Sequence, residues 1–252
     1  MTISAKIIAH SSHPGCPDLI TIQCRYPRFI HAEVMTHRVF SRNASSSRAV
    51  PVERMIQGVL DDPAMPVAWG SNQPGMQAGE EIARREEAIA MWLEARDRAV
   101  EAARDAQRLG LHKQIVNRLI EPFAHISVVI TATEWENFFK LRCHPAADPT
   151  MHALADAMRD AIAHSKPTFV GRDGWHLPYG APTPLSSAGR CARVSYLNHD
   201  GSNPDIDKDA ALAETLMASG HWSPFEHPAT PSLGYTHANL NCWRSLRTSL
   251  GA

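Results

Sequence analysis

A short polar segment, residues 36–48, contains the residue types that bind phosphate. It holds three arginines, one histidine, one asparagine and four serines, and it directly follows an apolar stretch. Serine hydroxyls and backbone N–H groups wrap a phosphate, and guanidinium groups add charge and a forked donor geometry that matches its oxygens. The segment predicts a local anion site, with a solvated surface loop as the alternative interpretation.

The overall composition limits the partners of such a site. The 252 residues carry a formal net charge of -1, with 44% hydrophobic and 20% charged residues. A nucleic-acid or membrane surface normally needs a strongly basic face, so this charge argues against both partners. The anion site must therefore be local, and we expect a small-molecule partner.

The cysteines, the N-terminus and the histidines predict further properties of the protein. Five cysteines are scattered without a C-x-x-C pair, which is typical of reduced thiols rather than of a disulfide framework. The N-terminus lacks a signal pattern, and no apolar run approaches membrane-spanning length, so we predict a cytoplasmic protein. The histidines form no H-x-x-x-H or H-E-x-x-H pair, and we predict no metal site.

Hydrophobic periodicity predicts the elements that position the polar segment. The predicted strands lie at 6–10, 18–24 and 126–130. The predicted helices lie at 80–109, 113–120, 134–141, from Asp148 onwards and at 207–219. Residues 29–35 predict a short buried helix or strand, and residues 62–79 and 166–189 predict loops. Thr133 and Glu136 predict a capping box at the start of the 134–141 helix.

The polar segment also carries a family resemblance. His37-Arg38, followed after seven residues by Ser46 and then Arg48, resembles the signature of the flavin-dependent thymidylate synthases. Thr36 stands where that signature begins with another arginine. A branch of the family with Thr-His-Arg includes UMP C5-methylases of nucleoside-antibiotic pathways, and this sequence looks most like that branch.

Four other blocks resemble the same family. The block 220–227 is similar to its flavin-binding Gly-His-x-Ser/Thr-Pro-Phe-Glu-His motif, with only one free position. The block 137–142 resembles its Asn-Phe-x-x-Leu-Arg motif, whose arginine holds the uracil ring. Arg118, four residues before Pro122, resembles an arginine of the helix that binds the nucleotide phosphate. Residues 26–30 resemble the strand that leads into the signature.

The order of these blocks predicts a permuted chain. In the family, the block at 220–227 and a strand like Arg193-Val194-Ser195-Tyr196 precede the signature, whereas here both lie near the C-terminus. A rotated chain keeps its core when the original termini lie close together, as is common for domains. We therefore predict a circularly permuted α+β fold, an antiparallel or mixed sheet with a helical layer, forming a single domain over residues 1–252.

The resemblance implies a role for each site residue. The implied catalytic residues are Arg142 and Ser46. The implied substrate-binding residues are Glu33, Ser45, Ser46, Ser47, Arg48, Arg118 and Arg142. The implied cofactor-binding residues are His37, Arg38, Asn43, Asn137, His221, Ser223 and Glu226. The implied cofactors and co-substrates are FAD, NADPH and 5,10-methylenetetrahydrofolate, at sites shared between subunits of a homotetramer.

The chemistry of the arginines agrees with these roles. Arg48 and Arg118 supply charge-assisted donors, each of which contributes about 1.5–3 kcal/mol to binding a phosphate. A fixed cation at Arg142 stabilises the negative charge that builds on a uracil ring during methylation at C5. The alternatives are a surface ion pair for Arg118 and an offset of the helix dipole for Arg142. Cys143 is the nearest candidate for a nucleophile, with a buried apolar role as the alternative.

These features predict a flavoenzyme that reductively methylates C5 of UMP, with dUMP also accepted. Methylenetetrahydrofolate is the implied carbon donor, and FAD and NADPH are the implied reductants. Thr36, and Ala44 in place of a glutamate, depart from the family pattern, so two alternatives stay open. One is a uridine-nucleotide-binding protein that has lost catalysis, and the other is a hydroxymethylase that releases the one-carbon unit as an alcohol.

Overall fold

A five-stranded sheet forms the centre of the structure, a computed structural model that describes residues 3–198, 201–237 and 239–251. The strands are β1 (Ser4–Ser12), β2 (Leu19–Pro27), β3 (Ser41–Ala44), β4 (His125–Ala132), β5 (Thr168–Phe169), β6 (Ala229–His237) and β7 (Leu240–Ser245). The order in the sheet is β3-β4-β2-β1-β5, and β6 and β7 form a separate hairpin. Most pairs are antiparallel and β5 runs parallel to β1, so the predicted mixed sheet is confirmed.

The two faces of the sheet pack against different groups of buried side chains. Even-numbered residues of β2 and β4, such as Ile22 and Val128, pack with Met151, Leu154 and Met158 in an apolar core. Side chains alternate between the two faces of a strand, so the odd-numbered residues point the other way. On that second face, Val129 of β4 packs with Tyr179, Cys191 and Val194.

Helices cover both faces of the sheet. They are α1 (His31–Val34), α2 (Val52–Asp61), α3 (Arg85–Arg108), α4 (Lys113–Val116), α5 (Glu136–Arg142), α6 (Pro149–Ala163), α7 (Pro184–Arg193), α8 (Ile206–Ala218) and α9 (Leu246–Ser249). Asp148 caps α6 by accepting hydrogen bonds from the backbone N–H groups of Thr150 and Met151, as the sequence predicts. None of the described helices is long and apolar enough to cross a membrane.

Two predicted helix starts are wrong. The helix predicted from residue 80 begins at Arg85, because the chain before it pairs with 69–71 through Ser71 N–Glu80 O (2.8 Å) and Ile82 N–Trp69 O (2.9 Å). The capping box at Thr133 does not form. The Thr133 hydroxyl instead accepts a hydrogen bond from Asn241 N (3.1 Å), and α5 begins at Glu136 without a side-chain cap.

The predicted loop 166–189 contains the start of helix α7. Thr183 and Ser186 form a reciprocal capping box, and Pro184 occupies the first turn. Proline is favoured there because its missing N–H has no partner in a helix and its fixed φ already fits. The same region gives a helix where the sequence resemblance implies a strand before Ser195, since α7 extends to Arg193.

Helices α7 and α8 pack closely at a glycine. A Cβ atom added to Gly189 of α7 would lie 2.1 Å from the backbone oxygen of Asp209 in α8. Only glycine allows this approach of the two backbones. The contact places the fully buried Asp209 carboxylate beside the last turn of α7.

Candidate functional site

Within the predicted signature, Ser41–Ala44 form the edge strand β3, which is tied to the C-terminal part of the chain. Asn43 Nδ2 donates to the carbonyl oxygens of Cys191 (2.9 Å) and Ala192 (3.2 Å) in the last turn of α7. Cys191 O also accepts from the backbone N–H of Val194 (3.1 Å), so the Asn43 amide adds further hydrogen bonds that stabilise the end of α7. Ser223 Oγ donates to Asn43 Oδ1 (2.9 Å), which brings the 220–227 block against the signature. This contact agrees with the permuted order, which stays a prediction.

A cavity of about 760 Å³ lies between the signature and the C-terminal elements. One wall comes from Asn43, Ser45 and Ser46, and the opposite wall includes His221 and Ser223. Five of the predicted site residues therefore meet at one cavity. Its size suits a nucleotide or a part of a dinucleotide cofactor.

Arg142 lies in a second cluster, at the C-terminus of α5. Its Nε donates to His37 Nε2 (2.9 Å), its Nη1 lies 3.5 Å from Glu33 Oε2, and its Nη2 contacts Thr36 Oγ1 at 3.5 Å. The His37 ring also packs edge-on against Phe138, with centroids 4.8 Å apart. The two predicted motifs around His37 and Arg142 therefore position each other.

The protonation state of His37 follows from these contacts. Burial, with the positive charges of Arg142 and Arg42, lowers the pKa of His37 to about 4. The ring is therefore neutral near pH 7, and because Nε2 accepts from Arg142, Nδ1 carries the proton. Arg42 is engaged elsewhere, since its Nη1 donates to the carbonyl oxygens of Val34 (3.2 Å), Met35 (2.9 Å) and His37 (3.1 Å) at the end of α1.

Ser47 and Arg118 both lie close to the carboxylate of Glu121, a residue that the sequence motifs did not predict. Ser47 Oγ donates to Glu121 Oε1 (2.5 Å), and Arg28 Nη2 lies 3.1 Å from the same oxygen. Arg118 is largely exposed and its Nη1 lies 3.9 Å from Glu121 Oε2. Within one chain, these two predicted phosphate-binding residues therefore face an acidic group and lie in a different cluster from Arg142.

The remaining predicted residues have few contacts within one chain. Arg38, Arg48 and Asn137 are exposed, and their side chains make no hydrogen bond with the described residues. Glu226 accepts from Arg247 Nη1 (2.6 Å), and His221 Nδ1 lies 3.0 Å from Ser219 Oγ. Local contacts therefore hold Glu226 and His221, whereas the three exposed side chains stay available to a ligand.

Cys143 was the candidate for a nucleophile, and no metal site was predicted at the histidines. Burial is the main cause that raises the pKa of the Cys143 thiol, and Asp156 adds to the effect. The proximity of Arg142 in sequence therefore does not activate this thiol. Among the described residues, no group of three or more histidine, cysteine, aspartate or glutamate side chains is placed to hold a metal ion.

Arg193 is a cavity residue that the predicted site omits. It is the last residue of α7, it lines the cavity, and its side chain is 9% exposed. Its Nη1 donates to Asp209 Oδ1, while its Nε and Nη2 are buried without a hydrogen-bond partner among the described residues. The motif Arg193-Val194-Ser195-Tyr196 was the available signal in the sequence, but it did not reveal the orientation of the guanidinium group.

A buried chain of hydrogen bonds runs from the N-terminal strand to the 220–227 block. It connects Ser11, His176, Thr21, Thr131 and His227 through contacts of 2.6–2.8 Å. Burial lowers the pKa of both histidines to about 3, so both rings are neutral near pH 7. The connection supports the prediction of a single domain, which stays a prediction.

Comparisons with known proteins agree with the sequence motifs. Residues 18–168 match the family model described as thymidylate synthase complementing protein. No curated protein matches the sequence significantly. The structure is similar to the UMP/dUMP methylase PolB from Streptomyces cacaoi bound with 5-Br dUMP, with a TM-score of 0.53 and 16% identity, over 64% of this chain and 90% of that one.

The same methylase bound with 5-Br UMP gives a TM-score of 0.51 and 17% identity, over 64% of this chain and 89% of that one. At this identity the likeness shows the fold alone. The family match covers more than half of the 252 residues and includes the signature and the Arg142 block. The chain belongs to the thymidylate synthase complementing protein family.

Proposed function

We propose that this protein reductively methylates C5 of UMP, with dUMP also accepted, using methylenetetrahydrofolate as carbon donor and FAD and NADPH as reductants. The observation that carries the proposal is the Arg142 cluster. A guanidinium group held by Glu33, Thr36 and His37 is fixed before a substrate binds. A fixed cation stabilises the negative charge that develops on a uracil ring when C6 accepts a nucleophile or hydride.

The neighbouring carboxylate supports a uracil ring as the ligand of this cluster. Uracil presents an N–H donor between two carbonyl acceptors, so it needs one acceptor and one donor from the protein. Glu33 supplies an acceptor and Arg142 supplies donors, with their charged atoms 3.5 Å apart. The Glu33 side chain is 43% exposed, so a ring is able to reach it. Cytosine lacks the N3 hydrogen, and we expect Glu33 to disfavour it.

The cavity supports binding of the flavin cofactor. Its walls combine hydroxyl and imidazole groups at Ser46 and His221 with apolar side chains at Val50, Leu216 and Pro224, a mixture that suits an aromatic ring with polar substituents. Two buried nitrogens of Arg193, which have no partner among the described residues, also fit a phosphate-bearing group. Bound FAD, once reduced by NADPH, would supply the reducing equivalents, so no cysteine nucleophile is needed.

Exposed apolar side chains around the Arg142 cluster support a site completed by a second copy of the chain. Met35, Val39 and Leu141 are 43%, 42% and 51% exposed. Large apolar side chains grouped beside a functional cluster are typical of a surface that a partner covers. We propose that the active form is a homotetramer in which a neighbouring subunit brings further residues to the site, including the exposed Arg48 and Arg118.

The direct test of the proposal is turnover of UMP and dUMP under identical concentrations of methylenetetrahydrofolate, FAD and NADPH. We expect both nucleotides to gain one CH₂ group by mass spectrometry, with UMP turned over at least as fast as dUMP. A product with one added CH₂O would favour the hydroxymethylase. Turnover of dUMP alone would contradict UMP as the substrate.

Loss of catalysis is the second alternative, and a different measurement detects it. The bonds between Asn43, Ser223 and the end of α7 use polar groups that the resemblance assigns to the flavin. A purified protein without yellow colour, and without a spectral change on addition of FAD, would favour a nucleotide-binding protein that has lost its reaction. We expect instead that the FAD absorbance shifts on binding.

A further inference from the structure

The guanidinium group of Arg193 has an unusual environment. Its side chain is more than nine-tenths buried, and only Nη1 has a partner, the Asp209 carboxylate. Nε and Nη2 are buried without a hydrogen-bond partner among the described residues. Buried donors normally have partners, because an unmade hydrogen bond leaves the full cost of removing the group from water. Two such donors at the edge of a cavity indicate that a ligand supplies the missing acceptors.

Among the residues that the structure describes, the charges around Arg193 do not balance. Arg190 Nε donates to Asp209 Oδ2 (2.9 Å), and Arg190 Nη1 donates to Tyr179 O (2.8 Å). Arg190 and Arg193 therefore share a single carboxylate that is itself fully buried. One positive charge is left over in a region with little water, where electrostatic interactions are strong.

The lining of the cavity does not offset this charge. Arg193 is one of its lining residues, and none of the described lining residues is acidic. Ser45 and Ser46 lie on the other wall and offer hydroxyl groups. Val50 and Leu216 provide apolar surface next to them. The cavity therefore combines a cationic donor, hydroxyl groups and apolar surface, which together match a phosphate joined to a ring system.

We propose that Arg193 is the anchor of a phosphate subsite in this cavity. Its Nε and Nη2 donate to two oxygens of one phosphate group, while Nη1 stays on Asp209. The identity of the phosphate-bearing ligand rests on the proposed function, which supplies three sources of the same chemistry: UMP, FAD and NADPH. Val194, which follows Arg193, has a left-handed backbone (φ 54°) although it is β-branched, and it packs against the same cavity.

The test compares Arg193 with Arg190, its neighbour on the same carboxylate. Arg193→Lys keeps a positive charge that is able to pair with Asp209, but it removes the forked pair of donors. Arg190→Lys is the matched control, because Arg190 contacts Asp209 and does not line the cavity. Dissociation constants for UMP, FAD and NADP⁺ are measured by isothermal titration calorimetry for the wild type and both variants, and melting temperatures report folding.

We expect Arg193→Lys to weaken binding of one of the three ligands at least about tenfold, as the loss of a charge-assisted hydrogen bond does. The ligand that is weakened identifies the source of the phosphate. Arg190→Lys should change the melting temperature without this loss of affinity. Equal affinities in the wild type and Arg193→Lys for all three ligands, or an equal loss in both variants, would overturn the subsite.

A second measurement uses the wild type and does not depend on the folding of a variant. Inorganic pyrophosphate should raise the melting temperature of the wild type and compete with the ligand that Arg193 binds. Absence of both effects would also overturn the subsite. The proposed function fails separately: Arg193-dependent binding without a methylated product contradicts methyl transfer alone, whereas a methylated product with unchanged affinities in Arg193→Lys contradicts the subsite alone.

Discussion

Arg142 and Arg193 end helices α5 and α7, yet their surroundings differ. Arg142 lies in the part of the chain that matches the family model, and its nitrogens contact Glu33, Thr36 and His37. Arg193 lies outside the matched residues, and two of its nitrogens have no partner among the residues that the structure describes. The difference separates two uses of arginine: the chain itself orients Arg142, whereas Arg193 keeps donors for a ligand.

The largest effect is expected from loss of the carboxylate that pairs with Arg193. Asp209→Asn removes the single carboxylate between two buried guanidinium groups. We expect the free energy of unfolding to fall by about 3–5 kcal/mol, because uncompensated charges stay buried. Chemical denaturation measures the change, and Asp207→Asn, an exposed position of the same helix, is the control with a much smaller loss. A variant as stable as the wild type would contradict the burial of this charge cluster.

The next largest effect is expected from loss of the Arg142 guanidinium group. Arg142→Ala removes the oriented cation, and we expect kcat/KM for UMP methylation to fall about 100- to 1000-fold, as for removal of a donor that stabilises a developing anion. Steady-state kinetics measure the fall. Lys140→Ala changes an exposed charge in the last turn of the same helix and should leave kcat/KM unchanged. An unchanged rate in Arg142→Ala would remove Arg142 from the mechanism.

A smaller effect is expected when α7 and α8 are forced apart, because their close packing positions Asp209 beside Arg193. Gly189→Ala places a Cβ atom 2.1 Å from the Asp209 backbone oxygen, so the helices must separate. We expect a loss of about 1–3 kcal/mol in the free energy of unfolding, as for other overpacked sites. Gly58→Ala in α2 adds a Cβ that lies more than 4 Å from the described atoms beyond its own stretch of helix, and it should instead stabilise the protein by about 0.5–1 kcal/mol. Equal stabilities of the two variants would show that α7 and α8 do not pack closely.

The smallest effect concerns the neutral partner of Arg142. The pKa of His37, about 4 in the folded protein, lies below its ordinary value of 6.5, so the unfolded chain binds a proton more readily between these pH values. Stability from neutral His37 is therefore present above about pH 6.5 and is lost as the pH falls towards 4.

Replacement of this histidine isolates its contribution. His37→Gln keeps an acceptor for Arg142 and removes the titration. Between pH 6.5 and 5, the wild type should lose up to about 1.4 kcal/mol of unfolding free energy per pH unit more than this variant. Denaturation curves at several pH values provide the measurement, and parallel profiles for the two proteins would contradict the lowered pKa of His37.

Local patterns predict the framework because they depend on neighbouring residues. The β-branched run of β4 and the Asp148 cap of α6 are confirmed, since burial and capping act within a few residues. Pro184 was interpreted as part of a loop, although proline also begins helices. Thr133 failed as a cap because Asn241, distant in sequence, takes its hydroxyl group.

The candidate site residues show the same difference between local patterns and contacts of distant segments. The mutual positioning of His37 and Arg142 agrees with motifs that the sequence displays. The Glu121 carboxylate lies beside Ser47, and two Arg193 nitrogens have no partner among the described residues. Both features arise from contacts between distant segments, and no local pattern predicts them. The approach of α8 to Gly189 likewise depends on tertiary packing.

The proposed reaction moves a one-carbon unit from a folate to C5 of a uridine nucleotide. The most direct measurement incubates the protein with UMP, FAD, NADPH and methylenetetrahydrofolate labelled with ¹³C at its methylene carbon, and records the NMR spectrum of the nucleotide. We predict that the label appears as a methyl group on C5 of the uracil ring. Label that stays on the folate, or that appears as a hydroxymethyl group, would rule out methylation of the nucleotide by this protein.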